Sequence, residues 1–184
     1  QLLETGDSTA DAQHYLTAVD ELIRQQFHPT SPLEPLLAAR TQAMDNVLER
    51  LWRVHLGSEP TPGIMLAAVG GYGRGELFPH SDIDILFLLK EQPTEAIENA
   101  ISMVLRSLWD LGLQVGQSVR RLDECARLAK RDLTIFTTML EIRPIAGDAS
   151  LIPALETELS ADNMWDSKTF YSAKLEEMQT RHAK

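Results

Sequence analysis

Apolar residues recur at helical spacing along the first third of the chain. Leu16, Val19, Ile23 and Phe27 fall at i, i+3, i+7 and i+11 and mark one face of a helix. The segment His28-Pro29-Thr30-Ser31-Pro32 breaks that pattern, and Leu37, Met44, Val47, Leu48, Leu51 and Trp52 build a second, longer amphipathic helix. Gly57-Ser58-Glu59-Pro60-Thr61-Pro62-Gly63 reads as a loop by its Pro and Gly content. From Ile64 the period changes. Ile64 to Val69 is a short apolar run ended by glycines, which reads as a buried strand. Asp82 to Leu89 predicts a second strand, and its run Ile85-Leu86-Phe87-Leu88-Leu89 implies cover on both faces. Thr94 is placed to cap a helix carrying Ile97, Ile101, Val104, Leu105 and Leu108, with Gly112 at its end. Leu113 to Val119 reads as a third strand. Asp123–Lys130, Asp132–Arg143, Leu151–Leu159 and the chain from Ser167 onward read as helices. The order predicts an α/β or α+β fold, a small mixed sheet flanked by helices. An N-terminal helical segment covers 1–57, a core 63–150, and C-terminal helices 151–184.

Composition narrows the function classes. A chain of 184 residues with 43% hydrophobic content can bury one ordinary core. The longest apolar stretch is too short to span a bilayer, and nothing at the start marks export, so no membrane partner is expected. The single cysteine, Cys125, excludes an internal disulfide and fits a reducing cytoplasm; it reads as a small packed hydrophobe on a helix. The net charge of −10, without a Lys/Arg cluster, weighs against a nucleic-acid partner but not against a nucleotide that arrives with Mg²⁺. A first residue Gln and a helical pattern up to the last residues read as a piece of a longer protein. There is no internal repeat.

The passage from Val69 to Leu86 carries the chemistry. Gly70, Gly71, Gly73 and Gly75 follow a strand, so the backbone there can turn tightly and aim its N–H groups at phosphate. Two familiar phosphate loops fail on inspection. A P-loop needs Lys then Ser or Thr after its last glycine, where Glu76 stands, and the dinucleotide fingerprint fails at Glu76 in one frame and Phe78 in the other. The acids supply the missing part. Residues two apart on a strand share a face, so Asp82 and Asp84 project together while Ile83 and Ile85 point into the core. Paired carboxylates repel unless a cation sits between them, and Mg²⁺ commonly takes one or two carboxylates plus substrate phosphates. Glycine turn and carboxylate pair together make a Mg-nucleotide site.

The string Gly-Gly-Tyr-Gly-Arg-Gly-Glu-Leu-Phe-Pro-His-Ser-Asp-Ile-Asp, from Gly70 to Asp84, resembles the signature of the polymerase-β-like nucleotidyltransferases. Within that superfamily it is similar to the bacterial protein-PII uridylyltransferase/uridylyl-removing enzymes. Ala39-Arg40-Thr41, Leu51-Trp52, Leu108-Trp109-Asp110, Val115 to Arg120, Asp132-Leu133-Thr134, Leu140 to Arg143 and Phe170 to Lys174 extend the resemblance over nearly the whole chain. It implies a polymerase-β-like fold, UTP as substrate and a tyrosine hydroxyl of the PII signal protein as acceptor, in nitrogen regulation. The family's hydrolase and glutamine-sensing domains do not fit within this length.

On that reading Asp82 and Asp84 hold Mg²⁺, Gly70 and Gly71 cradle the triphosphate, and Ser81 donates to a phosphate oxygen. Arg74 has two readings, a phosphate contact through its planar fork or a surface ion pair with Glu76 or Asp82. His80 reads as structural beside Pro79, and Tyr72 and Phe78 as packing for the loop. One departure stands out: polymerase-β-like enzymes place a third carboxylate on the following strand, and Leu113 to Val119 has none. Asp123, Asp132 and Glu141 lie nearby, each with a helix-surface or cap reading. The resemblance puts a Gly-Gly-Leu-Arg-Asp stretch after the segment at which this chain stops, a second source for that acid. An adenylyltransferase of the same superfamily, or a nucleotide-binding module with impaired catalysis, are the competing readings.

Overall fold

The computed structural model describes residues 9–30, 32–58 and 61–160, together with 168, 170–172, 174, 175 and 179. The helix expected from Ser167 onward falls largely outside them.

Two helices open the chain, α1 (Thr9–Gln26) and α2 (Glu34–Leu56). Strand β1 (Ile64–Ala68) runs into a single helical turn, α3 (Gly70–Gly73), and the chain returns as β2 (Ile83–Leu89). Helix α4 (Glu95–Asp110) connects β2 to β3 (Val115–Arg121). Helices α5 (Leu122–Ala129) and α6 (Leu133–Leu140), strand β4 (Arg143–Gly147) and helix α7 (Leu151–Glu158) follow. The sheet order is β3-β2-β1-β4. β1 pairs antiparallel with β2 and β4, and β2 pairs parallel with β3, so the sheet is mixed.

Strand alternation divides the core in two. Ile83, Ile85, Phe87 and Leu89 pack with Leu66, with Met44, Leu48 and Trp52 of α2, and with Ile101, Val104, Leu105 and Leu108 of α4. On the opposite face Leu86, Leu88, Met65 and Ala67 meet Cys125, Phe136, Met139, Leu151 and Leu155 from α5, α6 and α7. The run of five apolar residues in β2 is thus buried on both sides. Thr94 caps α4 by accepting from the Ile97 N–H, and Gly112, at φ 75°, closes it. No helix among the described residues is long and apolar enough to cross a membrane.

Three boundaries differ from the sequence reading. The helix expected over Asp132–Arg143 stops at Leu140, and Arg143–Gly147 is an edge strand instead. Its apolar residues are few and Pro144 reads as a breaker, yet an edge strand tolerates a missing N–H. β3 runs on to Arg121, because Arg120 and Arg121 continue the pairing with Leu88 and Leu89 after the apolar pattern has ended. Asp82 precedes β2 by one residue, leaving only Asp84 within the strand.

Candidate active site

The site is built where β1 ends against the start of β2. The Val69 N–H donates to the Asp84 carbonyl at 3.0 Å, which fixes the turn beside that acid. Val69 is extended, and Gly70 to Gly73 then wind one turn closed by Gly73 N–H to Val69 O at 3.0 Å and Arg74 N–H to Gly70 O at 3.1 Å. A helical first turn leaves its leading N–H groups without intrahelical partners, so the Gly70 and Gly71 N–H groups remain available as donors. A Cβ on Gly70 would sit 3.6 Å from Asp84 Oδ2, and one on Gly116 of β3 would overlap Asp84 Oδ1. The Asp84 carboxylate is therefore lodged between the glycine turn on its β1 side and Gly116 on its β3 side.

Asp84 is half-buried and Asp82 exposed. Burial, and secondarily the charge on Asp82, raise the Asp84 pKa above the ordinary carboxylate range. A divalent cation would reverse both effects, so the donor set fits Mg²⁺, with waters and phosphates supplying the remaining oxygens. No group of three or more His, Cys, Asp or Glu side chains able to hold a metal occurs among the described residues.

Other candidates take different positions. Ser81 is exposed, and its N–H donates to Phe78 O at 3.1 Å. Arg74 is engaged by Glu76 at 2.9 Å and Glu141 at 2.7 Å, the surface ion-pair reading with one partner the sequence did not suggest. Asp132 caps α6, accepting from the Thr134 and Ile135 N–H groups, and Asp123 pairs with Arg121. Tyr72 is buried, as expected; Phe78 is 47% exposed. His80 lies in the turn after Pro79 at φ 67° and borders an apolar cavity of about 460 Å³ with Phe78, Ile23, Phe27 and Leu37.

A buried clamp holds the glycine turn, and the sequence reading missed it. The Tyr72 hydroxyl donates to Asp45 of α2 at 2.6 Å, and Arg143 of β4 donates to both Asp45 oxygens at 2.8 and 3.0 Å. Burial, then Asp45, push the Tyr72 hydroxyl pKa far above its usual value. The Arg143 guanidinium lies 5.4 Å from the Tyr72 ring centre and donates to Gly73 O, while the Thr41 hydroxyl donates to Gly75 O. Asp45 shares a helix face with Thr41, Met44, Leu48 and Trp52, and a carboxylate on that apolar face was the available signal.

Beside Asp84 opens a cleft of about 320 Å³ whose walls include Gly116, Ser118 and Arg120 of β3 and Thr134 and Thr138 of α6. The one acid lining the larger cavity at Phe78, Asp20, is paired with Arg40, whereas Asp84 lines the smaller cleft against the glycine turn, so chemistry places the site at the smaller one.

The chain also resembles known proteins. Residues 53–140 match the nucleotidyltransferase domain family. A bifunctional uridylyltransferase/uridylyl-removing enzyme of Pseudomonas putida is 46% identical over 164 residues, 89% of this chain and 18% of that protein. The Vibrio campbellii enzyme of the same description is 44% identical over 161 residues, 88% of this chain and 18% of its own length. The chain thus spans about a fifth of the length of the curated relatives it matches. A solved toxin–antitoxin structure with AMP-PNP aligns over 76% of this chain and 95% of its own at 16% identity and a TM-score of 0.39, too distant to bear on the site. The mixed four-stranded sheet flanked by helices is consistent with a polymerase-β-like fold. A nucleotidyltransferase domain therefore spans the glycine turn, Asp82 and Asp84, in a chain similar over nearly all its length to uridylyltransferase/uridylyl-removing enzymes.

Proposed function

We propose that the protein transfers UMP from Mg-UTP to a tyrosine hydroxyl of the PII signal protein, releasing pyrophosphate, as a cytoplasmic enzyme of nitrogen regulation. The observation that carries the chemistry is Asp84 lodged against the Gly70 turn with Asp82 beside it. The similarity to uridylyltransferase/uridylyl-removing enzymes supports the choice of base, and the family resemblance of the string from Gly70 to Asp84 suggests the acceptor.

Asp82 and Asp84 would hold Mg²⁺, which when bound neutralises the triphosphate and polarises the α-phosphorus. The Gly70 and Gly71 N–H groups orient the phosphates, and the Tyr72–Asp45–Arg143 clamp keeps the turn from moving. Ser81, which is exposed, would donate to a phosphate oxygen; Arg74 would have to leave Glu76 and Glu141 to do so. The acceptor oxygen attacks the α-phosphorus in line, its proton passes to solvent or a carboxylate, and the bond to pyrophosphate breaks.

Net charge of −10 disfavours approach of RNA, whereas Mg-UTP arrives partly neutralised. The test is full-length protein incubated with labelled UTP or ATP and either PII or bulk tRNA. Label in PII from UTP is the expected product. Label in tRNA overturns the acceptor class, and label in PII from ATP alone moves the protein to an adenylyltransferase.

A further inference from the structure

The two sides of Asp84 are unlike. Oδ2 faces the glycine turn at the end of β1, and Oδ1 faces Gly116 of β3, across the β3-β2-β1 order of the sheet. In-line displacement puts the attacking and leaving oxygens on opposite sides of the phosphorus. With the leaving pyrophosphate at the glycine turn, as the proposed function has it, the attacking hydroxyl must enter from the β3 side. That side is one wall of the cleft beside Asp84, formed by Gly116, Ser118, Arg120, Thr134 and Thr138, while Val69 of the glycine turn lines the same cleft.

Its charge is equally specific. Register pairs Asp84 with Gly116, Leu86 with Ser118 and Leu88 with Arg120, so these β3 residues share the face that carries Asp84. Ser118 and Arg120 are half-buried. Arg74, Arg121, Arg127 and Arg143 each pair with an acid; Arg53, Arg106 and Arg131 make no ion pair among the described residues but are exposed, whereas Arg120 makes none there and is half-buried. A half-buried guanidinium without a counter-ion among the described residues, in a chain of net charge −10, is a place held for an external anion.

We propose that this β3 wall of the cleft receives the acceptor and that Arg120 is a specificity-determining residue, pairing with a carboxylate of the acceptor protein close in sequence to the hydroxyl that is modified. Arg120 lies four residues along β3 from Gly116, about 13 Å at strand rise, a span that about four extended acceptor residues cover. The partner chemistry is therefore an extended segment with an Asp or Glu within about four residues of its reacting tyrosine.

The test is steady-state transfer from UTP by full-length protein, varying acceptor and nucleotide separately. Arg120→Gln should raise the KM for the acceptor about 10-fold or more and leave the KM for UTP within about twofold, as fits one lost charge-assisted hydrogen bond. Replacing the acidic residues that flank the acceptor tyrosine by Ala should reproduce that rise with wild-type enzyme, and Arg120→Gln should add nothing further to it. Arg120→Lys should recover part of the loss. An unchanged acceptor KM in the flanking-acid variants, or an Arg120→Gln defect confined to UTP, overturns the β3 wall as the acceptor side while the functional reading stands. Wild-type enzyme that labels no protein from UTP overturns that reading, and this inference with it.

Discussion

Asp84 and Gly116 stand opposite each other in the parallel β2–β3 pair, so close that a Cβ on residue 116 would overlap the Asp84 carboxylate. The atom displaced is the tip of a short side chain rather than backbone, so relief comes by rotating the carboxylate away. Gly116→Ala should therefore cost little stability, about 1 kcal/mol or less, while moving the proposed metal ligand out of place. Transfer by the full-length enzyme should fall at least about 100-fold with Tm almost unchanged. A Gly116→Ala enzyme at wild-type rate would show that Asp84 does not need its observed position.

What was legible in the sequence follows from which signals are local. A glycine cluster ending one strand and an acid opening the next are local signals, so the closeness of Asp84 to Gly70 was legible, whereas the shared strand face expected for Asp82 and Asp84 does not apply because Asp82 precedes β2. Helix α4 was equally readable, with a cap at Thr94, an apolar stripe and a terminal glycine. The clamp was not. Asp45 and Arg143 are 98 residues apart and meet only because β4 returns beside β1, and β4 itself was hidden by Pro144 and a weak apolar pattern. Gly116 was overlooked for a related reason: its meaning lies in what the neighbouring strand places opposite it, which register decides and local pattern does not.

Substituting both acids, Asp82→Asn with Asp84→Asn, should abolish transfer and leave the fold intact. The pH dependence of Asp84→Asn alone carries a sign that can be worked out. Folding raises the Asp84 pKa, so between the ordinary carboxylate range and the raised value the native state holds more protons than the unfolded one. Asp84 thus contributes stability at low pH that is lost as pH rises through the folded pKa. In the presence of a chelator the variant should be at least as stable as wild type at about pH 7, and the two should converge near about pH 3. Unfolding curves at both pH values check this; a variant clearly less stable at neutral pH would mean that Asp84 has a stabilising partner.

Cys125 gives a second pH signature. Burial between α5 and the sheet, the largest influence, pushes its thiol up to about 11. The neutral thiol is favoured by folding, so its contribution is complete below the ordinary thiol pKa and disappears as pH climbs toward 11. Alkylation of folded protein at about pH 8 should be slow and should accelerate sharply in urea. Rapid labelling of the native chain would place the thiol at the surface.

The Tyr72–Asp45–Arg143 clamp is expected to matter twice, for stability and for the aim of the glycine turn. Tyr72→Phe removes the 2.6 Å bond to Asp45 but keeps Asp45 paired with Arg143, so it should cost about 1.5–2 kcal/mol. Asp45→Ala removes the carboxylate that both Tyr72 and Arg143 bond and should cost about 3 kcal/mol, the lower end for a broken buried pair, because Arg143 is 32% exposed and keeps its bond to the Gly73 carbonyl. Gly73→Ala attacks the same turn from its other side, since a Cβ there would overlap the Glu141 carbonyl, backbone that cannot rotate away. It should be the most damaging of the three. If the clamp positions the turn, each variant should lose transfer beyond its loss of folded protein, with the defect in kcat as well as in the KM for UTP. Denaturant curves paired with kinetics on the folded fraction separate the two effects. Tyr72→Phe with full kcat and lowered stability would reduce the clamp to packing alone.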